Sequence, residues 1–384
     1  MGAFVMRMKK MKWKYYINYV GVGAALILFA VLQMTGSLKS STQIVLENIA
    51  ISMILAVSLS LVVGFLGELS LGHAGFMCVG AYLGGKVSVL LAKGLGNGVP
   101  TLLISLLVGG ICAAFFGFLI GLPALRLKGD YLAIVTLAFG EIVKVFFQQA
   151  PEDWFGGNLG LATPRYDKNS FFIICFVVVL VALFAIQNLM RSKHGRAITA
   201  IRDNEIAAKA TGVNVTKYKL VAFIVSAFFA GIAGVLFSYT QSTVQAPKFG
   251  YNYSIEILVM VVLGGMGNLT GSLISATLIT YLNYKLRTVL TGDAAVLKDL
   301  IYALILIAIV IYNNAPALKN FREKYSIRRL FGRLRRHDPS VIKEDAAEWS
   351  EIPTKIKMDE ILSVDLKPGD EFTPDKPDRS KEDK

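Results

Sequence analysis

The chain has 384 residues, of which 54% are hydrophobic and only 17% charged, with a net charge of +13. A soluble domain carries about a quarter of its residues as charges. The deficit, together with apolar runs near 20 residues that recur along the chain, argues against a soluble protein. It predicts an all-α polytopic membrane protein with about 8–10 transmembrane helices, multi-pass in the cell membrane.

The charge is unevenly placed. Residues 338–384 hold 14 acidic and 8 basic residues, net −6, so the rest of the chain carries +19. In a membrane protein a basic excess reports topology, and no nucleic-acid partner is expected. Cys78, Cys112 and Cys175 all lie in apolar runs without CxxC spacing and read as buried hydrophobes, neither disulfides nor metal ligands.

Residues 1–14 carry Arg7, Lys9, Lys10, Lys12 and Lys14 and no acid, which puts this end in the cytoplasm. A first span is expected at 17–34. It lacks a small-residue cleavage motif and reads as uncleaved. An outside turn follows at 35–42, and a second span at 43–65 carries Glu47 and Asn48, which are costly if they face lipid. Residues 67–75, GELSLGHAG, are too polar and glycine-rich for lipid-facing helix. Irregular backbone at membrane depth is tolerated only against protein or a water-filled cavity. Further spans are expected at 76–91, at 101–125 (ending on the inside marker Arg126-Leu-Lys128) and at 131–147. In the last of these, Glu141 and Lys144 share a helix face and can pair.

Residues 151–169 form a polar loop expected outside, and a sixth span runs over 171–190. The polar segment 191–219 then carries seven basic and two acidic residues, which places it inside. A seventh span follows at 220–239, with a small-residue face of Ala227, Ala230, Gly231 and Gly234 suited to close packing. Two short apolar runs within 251–286 flank GGMGNLTG (264–271). They read either as two full spans or as a re-entrant pair. A last span is expected at 300–312, followed by a basic inside segment (319–336) and a disordered acidic tail.

Gly80–Val87 nearly matches the phosphate-loop pattern GxxxxGK[ST]. Val87 stands where the magnesium-binding hydroxyl belongs, no buried strand precedes it, and glycines in an apolar helix read as packing. His73, His194 and His337 have no second ligand at helical spacing, so no metal site is expected. No nucleophile motif appears, so an enzyme is disfavoured. Glu47 and Glu256 read equally as substrate or proton contacts and as interface residues. Glu68 and Glu141 lean toward pairing with a nearby Lys or helix terminus.

Within 191–219, the basic residues Arg191 to Arg202 and Lys217 to Lys219 are adequately explained by topology. The stretch 204–212 is different. Asp203 or Asn204 can cap a short helix, Ala207, Ala208 and Ala210 favour it, and Gly212 ends it. A short rigid helix of small residues fits a cleft in another protein.

Glu205-Ile-Ala-Ala208 with Gly212 resembles the coupling loop of ABC importer permeases. Together with GELSLGHAGFMCVGAYLGG (67–85), LKGDYLAIVTLAFGEIVK (127–144), RAITAIRDNEIAAKATGVNVTKYKLVAF (196–223) and VLGGMGNLTGS (262–272), in that order, it is similar to the permease subunits of branched-chain amino acid importers over about 40–312. The resemblance implies a type II importer fold with both termini cytoplasmic. Its three parts are a basic N-terminus (1–16), a transmembrane permease domain (17–318) containing the coupling loop 191–219, and a cytoplasmic basic segment with the acidic tail (319–384). It implies two ATP-binding cassette subunits that bind ATP and magnesium, a second homologous permease and an extracytoplasmic solute-binding protein. No cofactor is expected in this chain. Glu205, Ala207, Ala208 and Gly212 are the expected contacts with the ATPase. Glu47, Asn48, Gly72, His73, Gly75, Glu256, Gly264, Gly265 and Gly267 are the expected pathway residues. Permeases for urea or short amides resemble these closely, and an ion-coupled secondary transporter using Glu47 or Glu256 is the alternative of another class.

Overall fold

The computed structural model describes residues 18–33, 35, 40–125, 127, 129–164, 166, 171–241, 243–289, 303, 304 and 307. The basic N-terminus, Arg126, Lys128, nearly all of the expected span at 300–312, the basic segment 319–336 and the acidic tail lie outside the described residues.

In lipid every backbone polar group must be satisfied within the chain, so apolar runs become helices. The described elements are α1 (Asn18–Gln33), α2 (Ser40–Ser60), α3 (His73–Val79), α4 (Gly85–Leu95), α5 (Val99–Ala124), α6 (Asp130–Gln149) and α7 (Glu152–Phe155). After strand β1 (Leu161–Ala162) come α8 (Phe171–Arg191), α9 (Lys193–Asp203), α10 (Glu205–Ala210) and α11 (Val215–Thr240). Strand β2 (Thr243–Val244) precedes α12 (Tyr251–Gly264) and α13 (Leu269–Val289). Two π-helical turns, Leu61–Leu66 and Gly80–Gly84, prolong α2 and join α3 to α4. Among the described residues five helical stretches are long and apolar enough to cross a membrane: Ser40–Leu66, His73–Gly94, Val99–Ala124, Phe171–Arg191 and Val215–Thr240.

Helix α2 is apolar on all sides and almost wholly buried, as an all-round hydrophobic helix must be when it sits at the centre of others. It packs on α8, α11, α12 and α13, while α11 packs on α3, α5 and the second π turn. The small-residue face expected on α11 makes this contact. A Cβ on Gly231 would lie 2.5 Å from Ala113 Cβ, and one on Gly234 only 2.0 Å from the Met77 carbonyl. The opposite face of α5 exposes Leu103, Leu107, Ile111, Phe115 and Leu119, a stripe four residues apart suited to lipid or another apolar chain.

At the end of the bundle away from 191–219, β1 and β2 pair antiparallel, Leu161 opposite Val244. Thr163 Oγ1 donates to the Ser238 carbonyl at 2.6 Å and Tyr82 OH to the Val244 carbonyl at 3.1 Å. Two segments far apart in the sequence therefore form one cap.

Several boundaries move. The irregular stretch expected over 67–75 ends at Gly72. His73 to Gly75 form the first turn of α3, where Ser254 Oγ accepts the Ala74 N–H at 3.1 Å. Helix α11 starts at Val215, capped by Asn214 Oδ1 on the Lys217 N–H. Glu141 and Lys144 pair as their spacing allows, and Glu141 Oε1 also accepts the Tyr251 N–H at 2.8 Å, holding a carboxylate at the α12 N-terminus where the helix dipole favours it. Helices α12 and α13 form a hairpin whose turn lies beside α9, at the same end of the bundle as the 191–219 segment.

Candidate functional site

The basic end is built around α9 and α10. Ser192 caps α9, its Oγ accepting from the His194 and Gly195 N–H groups. Asn204 caps α10 through Oδ1 on the Ala207 N–H at 3.0 Å, while Asp203 pairs with Arg202 instead. The α10 stop is a Schellman turn. Gly212 N–H bonds to Lys209 O, Val213 N–H bonds to Ala208 O, and Gly212 sits at φ 84°.

Topology alone does not account for the basic residues here. Ile198 and Ile201 of α9 are buried with Leu61, Leu66, Ala208 and Ala222. Arg202 Nη1 donates to the Gly64 carbonyl at 3.1 Å, inside the π turn that ends α2. Lys219 is an anchor: its side chain is 4% exposed, and Nζ lies 2.5 Å from Glu68 Oε1 and 3.1 Å from Glu205 Oε2. One ammonium thus ties α11 to the segment after α2 and to the first residue of α10.

This arrangement sorts the four residues expected to contact an ATPase. Glu205 is engaged by Lys219, though 37% of its side chain stays exposed. Ala207 is exposed and Gly212 closes the turn. Ala208 is turned inward, 5% exposed, because the 3.6-residue period that bares Ala207 directs its neighbour onto Leu61 and Leu66. The exposed side of α10 also presents Ile206, at 81% the most exposed large hydrophobic side chain among the described residues.

The expected pathway residues divide three ways. Asn48 and Glu256 line the same cavity, about 380 Å³, between α2, α12 and α13. Glu47 is buried at a separate void of about 40 Å³, well below the usual size of a solute pocket. The others sit in backbone contacts. A Cβ on Gly72 would lie 2.2 Å from the Thr136 carbonyl, one on Gly75 2.7 Å from Gly140 Cα, and one on Gly264 2.4 Å from the Gly271 carbonyl carbon. Ser58 Oγ lies 3.0 Å from the Leu55 carbonyl and 2.8 Å from His73 Nε2, so the imidazole is held in a buried hydrogen bond. Gly265 and Gly267 have positive φ in the α12–α13 turn, and a Cβ on Gly64 would come within 2.5 Å of the Gly267 nitrogen. The turn and the end of α2 therefore interlock beside Arg202.

Residues 41–310 match the sequence profile of the family described as "Branched-chain amino acid transport system / permease component". The chain belongs to this family. It is 36% identical over 260 residues to the high-affinity branched-chain amino acid transport system permease protein LivM of Escherichia coli, covering 60% of each chain. It is 30% identical over 200 residues to the probable LivM protein of Methanocaldococcus jannaschii, covering 50% of this chain and 57% of that one. The ribose import permease RbsC of Escherichia coli is 27% identical over 250 residues, 63% of this chain and 68% of the relative. The chain thus spans about 60% of the length of the LivM relatives it matches. No solved structure matches it.

In this chain Lys219, Arg202 and Ile206 did not stand out from the sequence. A buried lysine beside a membrane end carries the same letter as a topology marker. Only its carboxylate partners, one of them 151 positions away, distinguish it. Ile206 had a visible signal, an isoleucine among alanines on a six-residue helix bounded by Asn204 and Gly212. Among the described residues no three His, Cys, Asp or Glu side chains gather as a metal site.

Proposed function

We propose that this chain is the membrane-spanning subunit of an ATP-driven importer, carrying branched-chain amino acids handed over by an extracytoplasmic binding protein. Two ATP-binding cassette subunits hold ATP and magnesium, a second related permease completes the pathway, and this chain has no catalytic role of its own. The observation that carries the reading is the surface of α10. It is a capped, rigid helix with Ile206, Ala207, Lys209 and Ala210 exposed and its other side fastened by Ala208 and Glu205.

Movement of a docked ATPase then has a route inward. Lys219 links α10 to the end of α2, and Arg202 links α9 to Gly64, against which the α12–α13 turn rests. Asn48 and Glu256 lie on the solute pathway in the cavity between these helices. Asn48 is 16 residues from Gly64, about 24 Å at 1.5 Å per residue, so α2 spans from docking end to cavity. Coupling of this kind requires that the nucleotide-bound partner contact α10 differently in the two states.

The test is co-purification of the ATPase subunits with Ile206→Glu. Burying an isoleucine contributes about 1.5–3 kcal/mol, so placing a charge there should weaken capture at least tenfold while the protein still inserts. Full capture by this variant would refute α10 as the docking surface. Gly212 gives a graded check. A Cβ there meets nothing within 4 Å, so substitution acts only through backbone strain. Left-handed geometry costs an ordinary residue about 1–2 kcal/mol, and asparagine least. Uptake is expected to survive Gly212→Asn and to be lost in Gly212→Val, with membrane insertion of both unchanged.

A further inference from the structure

We propose that the cavity between α2, α12 and α13 is a binding site for a free amino acid zwitterion with an apolar side chain, the station where solute enters the permease. The proposal rests on the importer function above and adds the site and its chemistry. The cavity, about 380 Å³, lies toward the end of the bundle opposite α9 and α10, bordered by the segment after β2. Its volume falls in the range of pockets that enclose small ligands.

Its walls carry both signs of charge. Asn283 Nδ2 donates to Glu256 Oε1 at 3.0 Å, and Asn283 Oδ1 accepts from Arg287 Nε at 3.3 Å. An amide therefore stands between a carboxylate and a guanidinium, holding them a side chain apart. An α-amino acid carries the complementary pair, an ammonium and a carboxylate two bonds apart on one carbon. The terminal amino groups of a guanidinium form the fork that binds a carboxylate in bidentate fashion, and a carboxylate accepts up to about four donors. Lys248 adds a second cation at the rim, bonded to Gln241 Oε1 at 3.4 Å.

Two more features point to a ligand. Thr280 lines the cavity, and its buried hydroxyl has no hydrogen-bond partner among the described residues. Buried polar groups are nearly always satisfied, so a bound solute or water completes this one. The lining also holds the apolar side chains Ile44, Val45, Phe237 and Phe249, beside the polar Asn48 and Ser52. A sugar or an amide such as urea has no net charges to set against Glu256 and Arg287. A simple ion has no use for the apolar side chains. A zwitterion with a hydrocarbon side chain uses both.

The experiment is uptake of labelled leucine by the full importer in proteoliposomes with ATP hydrolysis followed in parallel, and equilibrium binding of labelled leucine to the assembled importer without its binding protein. Glu256→Gln and Arg287→Gln should each lower leucine binding and uptake at least tenfold, with ATP hydrolysis within about twofold of wild type, since a charge-assisted bond is lost in each. Thr280→Val, nearly isosteric and the least disturbing to folding, should lower binding about threefold. Wild-type import of leucine with undiminished import by both charge variants would overturn the site and leave the importer standing. Parallel loss of uptake and hydrolysis in all three variants would mark the residues as structural and likewise overturn it. A wild-type importer that carries ribose but no leucine would overturn both readings.

Discussion

Lys219→Met is expected to abolish the proposed ATP-driven uptake while the protein still inserts into the membrane. The lysine Nζ is 2.5 Å from Glu68 and 3.1 Å from Glu205, and its side chain is 4% exposed. Methionine fills the same space without the charge, leaving two carboxylates facing each other. Removing one partner of a buried ion pair costs about 3–5 kcal/mol. The low end applies here, since Glu205 keeps over a third of its side chain in water. About 3 kcal/mol shifts the docking of α10 on α11 roughly a hundredfold. ATP hydrolysis by the proposed ATPase partners should continue, uncoupled from transport. Burial orders the single carboxylate variants: Glu68, 15% exposed, should lose more uptake as Gln than Glu205, 37% exposed. Removing both members of the buried pair in Glu68→Gln with Lys219→Met should recover part of the loss, because no cation-less pair of carboxylates is left. Wild-type uptake by Lys219→Met, measured in proteoliposomes, would mean that the three-way anchor does not transmit the stroke.

The same residue marks where the sequence stops being legible. Helix positions could be read because lipid forces apolar runs into helices, and among the described residues the helix ends fall within about five residues of those expected. The α10 cap and stop could be read because Asn204, the alanines and Gly212 act locally, each through its own backbone. Lys219 could not, since charge bias explains a lysine at a membrane end equally well whether it faces water or two carboxylates. Helix α9 went unread because its two large apolar residues, Ile198 and Ile201, are too few to stand out in a basic segment. The π turns at Leu61–Leu66 and Gly80–Gly84 have no periodicity of their own. Asn48 and Glu256 drew notice as polar residues inside spans. Their meeting in one cavity depends on the α12–α13 hairpin, whose depth the run lengths left open.

The glycines of the near-phosphate-loop pattern carry the largest expected loss of stability. A Cβ on Gly80 would lie 2.1 Å from the Gly231 carbonyl oxygen and 2.5 Å from Gly231 Cα. Both neighbours are backbone, so no side chain can rotate away, and α11 would have to retreat by more than 1 Å. It is held from behind, since a Cβ on Gly231 already meets the Gly109 carbonyl at 2.7 Å, and α5 packs against both helices. Three glycines from three segments thus set the distance at which the centre of the bundle closes, by the same logic that brings small residues to helix contacts in membranes. Overpacking a well-packed core costs about 1–3 kcal/mol, and more where the obstacle cannot move. Gly80→Leu should therefore leave little monodisperse full-length protein after detergent extraction, with a sharply lowered Tm in what remains. Gly94→Ala is the matched control, as a Cβ there meets nothing within 4 Å in the exposed last turn of α4. It should be neutral or slightly stabilising, because alanine is the better helix former. Gly85→Ala, whose Cβ would lie 3.2 Å from a Thr163 methyl, should fall between them. If the glycines served a phosphate instead, Gly85→Ala would be as damaging as Gly80→Leu. A Tm for Gly80→Leu equal to that of wild type would show that α3 and α11 do not close on each other there.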